Sequence, residues 1–358
     1  MTWVWTILGF TFLIVAHEAG HFFAAKAVGM RVERFSLFFG KPVVSVRRGE
    51  TEYGIGPFPL GGYVKISGMN PYEELPPEVQ PRAYYRQPVW KRIVVISAGP
   101  LVNVVLAFAI IWGLVLANGV ATSTTRVDSS GLGQPASRYL VPGDRIVSVD
   151  GVRDPAKLSE QVASHRCAGK PVGGCEATTA AHVVVERDGR RLAFEIRPRY
   201  DARSGIARTR LGFSYAVDMR SVGPLGAAGQ SVSTMWDVTT RSVSTFAQLF
   251  KAKERKQINS VVGAASVTHE AVSSGLTVAL WILALISLSL AIINLFPFLP
   301  LDGGHIFFAL AEKVRGRAIP FSVMERASAV GFALVAMIFL IGLTNDIGTL
   351  QHGGFKIR

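Results

Sequence analysis

The stretch LIVAHEAGHFFA, Leu13–Ala24, decides how the chain must be read. It places His17, Glu18 and His21 inside an apolar run that begins at Thr2 and carries no charged residue before His17. The run continues to about Val28, which exceeds the ~20 residues that cross a bilayer. A secretory signal would show a basic start and a small-residue cleavage site, neither of which is clear, and the run is too long for one. Residues 1–29 therefore read as a spanning helix. Residues four apart share a helix face, so His17 and His21 project together. H-E-x-x-H is the spacing that seats two imidazoles on one Zn²⁺, with the glutamate beside them as general base. One ionisable group at the centre of a spanning helix costs about 2.5–3.5 kcal/mol. Three in so short a stretch need a compensating interaction. A bound metal supplies one, and a proton relay is the rival account.

The rest of the chain repeats the apolar theme. Of 358 residues 49% are hydrophobic, and 38 Lys+Arg against 25 Asp+Glu leave a net charge of +13. Three more apolar blocks occupy 93–117, 276–296 and 327–343, with a tail at 344–358. This is the pattern of a polytopic α-helical membrane protein with about four transmembrane helices and a soluble insertion. The basic residues are scattered rather than striped beside stacking aromatics, which argues against nucleic acid and for contact with the headgroups of the lipid bilayer. Lys26, Arg31 and Arg34, then Lys91 and Arg92, then Lys313, Arg315 and Arg317 all fall on one side of the bilayer. The positive-inside rule makes that side cytosolic. Both termini and the insertion at 118–275 are then expected outside.

The loop 30–92 contains GIGPFPLGGYVKISG, Gly54–Gly68. It is expected to form a β-hairpin, either on the surface or dipping into the membrane; irregular backbone at that depth must be buried in protein or line a cavity. In the insertion, Asp150-Gly151 and Asp188-Gly189 are hairpin signals. Pro155–His165 reads as a helix with proline at its start, and Ala181–Pro198 as two alternating strands. Cys167 and Cys175 either close a small disulfide loop or remain two thiols. Residues 216–275 read as an amphipathic helical region, with Met235, Trp236, Val243, Phe246, Leu249 and Phe250 on its apolar side and Lys251–Lys256 following. It either lies on the outer membrane surface or packs on the insertion.

Two histidines do not complete a catalytic zinc site, which takes three protein ligands and a water. The best third candidate is Asp302, in NLFPFLPLDGGH, Asn294–His305, a helix broken by Pro297 and Pro300. The first and third blocks run in the same direction, and His17 lies about 22 Å along the first at ~1.5 Å per residue. Both sites therefore fall toward the cytosolic side at similar depth. Taken alone, Asp302 in Asp-Gly-Gly is ordinary turn chemistry.

Together these segments resemble the site-2 protease family of intramembrane zinc metalloproteases. The resemblance rests on HEAGH in the first spanning helix, GGYVK at Gly61–Lys65, SAGPLVN at Ser97–Asn103 and LDGGH at Leu301–His305. The insertion 121–215 is similar to a bacterial PDZ domain (α+β), because P-G-D-x-I-x-x-V-[DN]-G stands complete from Pro142 to Gly151. The family motif N-x-x-P-x-P-x-L-D-G-G has Leu299 in place of its second proline here, with the Asn-to-Asp spacing kept. The likeness is greatest to the bacterial branch that cleaves anti-sigma factors. It implies Zn²⁺ on His17, His21 and Asp302, with Glu18 as general base. Asn294 would position the substrate or steady the oxyanion, and Asn103 would make a polar contact to the site or a helix–helix bond. Gly61, Gly62 and Tyr63 would meet an extended substrate, while His305 would be supporting or structural. It further implies single-pass membrane substrates already trimmed by a first protease and screened by the PDZ domain, at the bacterial inner membrane. Two other functions fit the sequence less well. A non-catalytic PDZ adaptor would lack Glu18 or a histidine, and neither is missing. A metal or proton transporter tends to carry internal repeats, and no second copy of either motif occurs.

Overall fold

The computed structural model describes residues 2–130, 134–169, 171–201, 208–247 and 261–351. They fall into two units, one of Met1–Ala117 with Gly223–Arg358 and one of Asn118–Val222.

In the first unit four helices are long and apolar enough to cross a membrane. They are α1 (Thr2–Ala27), α2 (Val89–Asn118), α6 (Leu276–Asn294) and α8 (Phe321–Gln351). Hydropathy locates their centres but not every end: α2 begins at Val89, four residues before the expected 93, with Trp90, Lys91 and Arg92 in its first turn. The block expected at 327–343 starts at Phe321, just after Pro320, and its helix continues through 344–351, residues expected to form the tail. Glu325 and Arg326 sit in the first turns of α8. A hydropathy window marks the apolar middle of a helix and is blind to polar residues that prolong it.

The loop after α1 forms a four-stranded sheet of β1 (Val32–Phe39), β2 (Val44–Arg48), β3 (Thr51–Ile55) and β4 (Phe58–Ile66), in the order β2-β3-β1-β4. The hairpin expected over Gly54–Gly68 is corrected by this order. β3 and β4 follow one another in sequence but do not pair, because β1 lies between them, parallel to β3 and antiparallel to β4. The short link cannot turn tightly in one plane. Gly56 donates its N–H to Leu37 O at 2.8 Å, and Pro57 offers no donor. One face of the sheet packs on α1, where Phe22 meets the rings of Phe35 and Tyr53 edge-on. The other carries Arg34 paired with Glu52.

The region 216–275 divides differently from expectation. Its first residues belong to strand β11 (Phe213–Arg220); helices α4 (Pro224–Ala247) and α5 (Val261–Ser274) follow. Leu249, Phe250 and Lys251–Lys256 lie outside the described residues. α5 packs against α1, α6 and α8 with Thr268 and Ala271 buried, so it belongs to the helical bundle and is not a surface appendage. α4 leaves Leu225, Val232, Trp236 and Val243 exposed along one side.

The second unit is a five-stranded antiparallel sheet, order β11-β5-β6-β7-β8, from β5 (Val120–Ser130), β6 (Arg145–Val149), β7 (Ala181–Arg187), β8 (Arg190–Ile196) and β11. Strands β9 (Arg199–Asp201) and β10 (Arg208–Arg210) pair separately. Asp188 and Gly189 both take positive φ, 51° and 74°, as the tight β7–β8 turn requires. Helix α3 spans Leu158–Ser164, beginning three residues later than Pro155, because Asp154 Oδ1 first accepts the Ala156 N–H at 3.1 Å in a turn. Cys167 and Cys175 form a disulfide. Val127, Leu140, Ile146, Val149, Leu158 and Val183 fill the core between helix and sheet.

Candidate metal centre

His17 and His21 are both buried, one turn apart on α1, with their Nε2 atoms 3.2 Å from each other. Asp302 opens helix α7 (Asp302–Arg315), and its Oδ2 lies 3.3 Å from His17 Nε2 and 3.4 Å from His21 Nε2. Zinc bonds of about 2.0–2.1 Å at tetrahedral angles place neighbouring ligand atoms about 3.3–3.4 Å apart. The three atoms thus form one triangular face of a zinc-sized tetrahedron. Asp302 Oδ2 is buried and receives no hydrogen bond. A lone carboxylate oxygen facing two imidazole nitrogens is costly unless a cation lies between them. Among the described residues this is the cluster of His, Cys, Asp and Glu whose atoms converge for a metal.

The second ring nitrogens are also engaged. His21 Nδ1 lies 2.9 Å from the carbonyl of Val95 on α2. That oxygen can only accept, so Nδ1 carries the proton and Nε2 keeps its lone pair for the site. His17 Nδ1 lies 3.3 Å from Asn103 Nδ2, while Asn103 Oδ1 is buried without a partner. The two arms of an amide have nearly the same shape, so the side chain can turn over in place. Turning the amide lets Oδ1 accept from His17 Nδ1–H, satisfying the orphaned oxygen and freeing Nε2 of His17 as well.

Small residues permit this closeness. α1 and α2 cross where a Cβ on Gly20 would collide with the backbone of Ala98. A Cβ on Gly99 would clash with the Nε2 edge of the His21 imidazole. Gly303 and Gly304 press against the backbone of Leu295, Phe296, Phe298 and Leu299, folding the broken segment back so that α7 starts at the histidines.

Glu18 faces β4. A Cβ on Gly62 would be 2.9 Å from Glu18 Cγ, and the Val64 backbone adjoins its carboxyl. Gly61 and Tyr63 point the other way: both lie against the ring of Phe39, and Tyr63 OH accepts from Arg34 at 3.0 Å. Of the three expected strand residues only Gly62 is turned to Glu18. Asn294 ends α6 half-buried and makes no side-chain hydrogen bond to another described residue; the same holds for His305. Asn103, by contrast, is fully buried against His17, and its own carbonyl accepts from Ser287 at 2.8 Å. Sequence reasoning missed Gly20, Val95 and Gly99. The small-residue run in SAGPLVN was the available signal for Gly99, whereas a backbone carbonyl leaves none.

The chain is similar to known zinc metalloproteases. The chain is 30% identical to zinc metalloprotease Rip1 of Mycobacterium tuberculosis, covering 93% of this chain and 94% of that one. It is 28% identical to a putative zinc metalloprotease of Campylobacter jejuni over 96% of this chain and 93% of that one. A putative zinc metalloprotease of Brucella suis is 29% identical over 96% and 95%. Residues 5–338, from the first turns of α1 through most of α8, match peptidase family M50, the site-2 protease family, and the chain belongs to it.

Proposed function

We propose that this multi-pass membrane protein is a zinc metalloendopeptidase that cleaves peptide bonds within the transmembrane segments of other proteins. The observation that carries the reading is the buried triangle of His17, His21 and Asp302, its edges 3.2–3.4 Å, with Glu18 beside it. The names of the relatives support zinc as the ion. Zinc bound there would polarise the scissile carbonyl and lower the pKa of a bound water toward ~7. The chain's own residues do the rest. His17, His21 and Asp302 would hold the ion, with Val95 and Asn103 fixing the imidazoles. Glu18 would act as the general base that takes a proton from water and returns it to the departing amine. Asn294, at the end of α6, is assigned to the substrate carbonyl.

The sheet suits an extended substrate. β4 is an edge strand whose one partner is β1 among the described residues, and its Gly62 adjoins Glu18. A peptide added along that free edge would be held by main-chain hydrogen bonds, the β-augmentation mode. The ends of the sheet differ in polarity. Phe39, Val43, Val44, Ile55 and Phe58 are exposed at one end, while Arg34, Arg47, Glu52 and Lys65 lie toward the other. That gradient supports a sheet whose apolar end dips into the bilayer with its charged end in the cytosol. The basic flanks of α1, α2 and α7 support the same orientation, with both termini and the Asn118–Val222 unit outside.

The Pro142–Gly151 pattern supports reading Asn118–Val222 as a PDZ-like domain that docks or filters substrates. The family resemblance favours anti-sigma-factor-like single-pass proteins, already cut once, at a bacterial inner membrane. The deciding experiment measures zinc content and cleavage of a model transmembrane substrate by wild type and Glu18→Gln. Cleavage is expected to vanish with zinc retained; activity that survives Glu18→Gln would overturn the assignment. Deleting 124–215 should leave cleavage of a short substrate intact and relax selection against long ones.

A further inference from the structure

α2 presents one face to the whole centre. Arg92, Val95, Gly99 and Asn103 follow at i, i+3, i+7 and i+11, so they line one side of the helix. Three of them act on histidines: Val95 O holds His21 Nδ1, Gly99 makes room for the His21 ring, and Asn103 contacts His17. The fourth, Arg92, reaches α7. Its Nη1 and Nη2 donate to Glu312 Oε2 and Oε1 at 2.9 and 2.7 Å, a two-pronged pair. Glu312 lies about 15 Å along α7 from Asp302, at ~1.5 Å per residue. Among the described residues, the side-chain polar contacts of α7 to other elements lie at its two ends: Asp302 with the histidines and Glu312 with Arg92. The apolar packing of α7 lies at the Asp302 end, where Gly303 and Gly304 press on the preceding backbone and Ile306 packs on the cluster of Phe22, Val95 and Ile96, while Phe307 and Leu310 are exposed.

We propose that Arg92 and Glu312 are positioning residues that fix the rotation and height of α7, and so place the Asp302 carboxylate against His17 and His21. A planar guanidinium fork on a carboxylate fixes direction as well as distance. The side chains are 11% and 25% exposed, and a largely buried ion pair adds little net stability because desolvation offsets its attraction. Its contribution is therefore geometric. A metal site tolerates a ligand displacement of only about 0.5 Å, which an α7 anchored at one end would exceed by a small rotation. The same face of α2 then sets all three ligands, two by contact and the third through α7.

The inference rests on Asp302 being a ligand, and the experiment separates the two ideas. The full chain in detergent is titrated with zinc against a chromophoric chelator, and its Co²⁺-substituted absorption is recorded, for wild type, Glu312→Gln, Arg92→Lys, Asp302→Asn and Glu50→Gln. Glu50 forms the same kind of two-pronged pair with Arg82 at 2.7 and 2.8 Å but joins no helix that bears a ligand. The expected result is zinc binding weakened about 10–100-fold by Glu312→Gln, as for other groups that orient ligands, with altered Co²⁺ bands. Arg92→Lys, which keeps the charge and loses the fork, should fall between. Glu50→Gln should match wild type. Wild-type affinity and spectrum in both Glu312→Gln and Arg92→Lys, or an equal loss in Glu50→Gln, would overturn the tether. If Asp302→Asn also binds normally, the metal-site reading itself is wrong.

Discussion

The Nδ1 of His21 lies 2.9 Å from the carbonyl oxygen of Val95. The backbone of α2 therefore selects the tautomer of a side chain on α1. Four residues on, Gly99 makes space for the same ring. A contact between two helices thus sets the orientation and the protonation of the imidazole together.

Gly99→Val tests that dependence. The added side chain has no room beside the His21 ring, so either the ring or the helix crossing must shift. Zinc affinity should fall about 10–100-fold while circular dichroism keeps its helical signature. Metal analysis of the purified protein reads the loss, and a fully zinc-loaded variant would show that the crossing relaxes freely.

Asn103 has two contacts that separate cleanly. Its backbone carbonyl accepts from Ser287, and its amide meets His17. Substitution removes only the second. Asn103→Leu should weaken zinc binding about tenfold, and Asn103→Asp should restore much of it, because a carboxylate accepts from His17 Nδ1–H. Equal affinity in all three proteins would make Asn103 a helix-packing residue alone.

Gly62 is placed to affect Glu18 without touching the ligands. Gly62→Val would push on Glu18 Cγ, which a Cβ alone would approach to 2.9 Å. Displacing a general base costs about 10²–10⁴-fold in rate. The expected outcome is kcat lowered by at least about 10²-fold with zinc content unchanged. A variant that loses zinc in proportion to activity would place the damage in the ligands instead.

These residues also show what was legible in the chain. Lipid-length apolar blocks announce α1, α2 and α6, because no other fold uses such segments economically. His17, Glu18 and His21 stand out because an ionisable group is expensive there. Asp302 could be matched to them by depth alone, and the structure brings its Oδ2 within 3.4 Å of both Nε2 atoms. The order β2-β3-β1-β4 was not legible, since strand order depends on non-local pairing, and Gly56-Pro57 reads equally as a turn or a crossing. Nor could the sequence tell that Gly61 and Tyr63 face Phe39 while Gly62 faces Glu18. In a strand a one-residue change of register exchanges the faces.

The Asn118–Val222 unit makes a prediction of its own from Asp144, the aspartate of its Pro-Gly-Asp turn. The residue is 1% exposed. Arg187 donates to its two oxygens at 2.7 and 2.8 Å, and the Val141 N–H adds a third bond at 2.9 Å. The Arg187 hydrogen bonds hold the Asp144 carboxyl below its ordinary pKa, against the opposing effect of burial. The folded state therefore favours the ionised form more than the unfolded chain does. The stabilisation is present in full above the unfolded aspartate pKa of about 3.9. It fades as pH falls below that value through the depressed folded pKa. Hydrogen bonds to a charged partner are worth about 1.5–3 kcal/mol, so Arg187→Gln should loosen β6 and β7 by roughly that much at neutral pH. Hydrogen exchange of peptides covering 141–149 and 181–190, measured on the full chain in detergent, reads it. The gap between wild type and Arg187→Gln should be widest at pH 7 and narrow as pH falls below about 3.9 toward the depressed folded pKa, where Asp144 takes up its proton. A gap that stays constant across this range would mean that Arg187 acts through the packing of its alkyl chain and not through its charge.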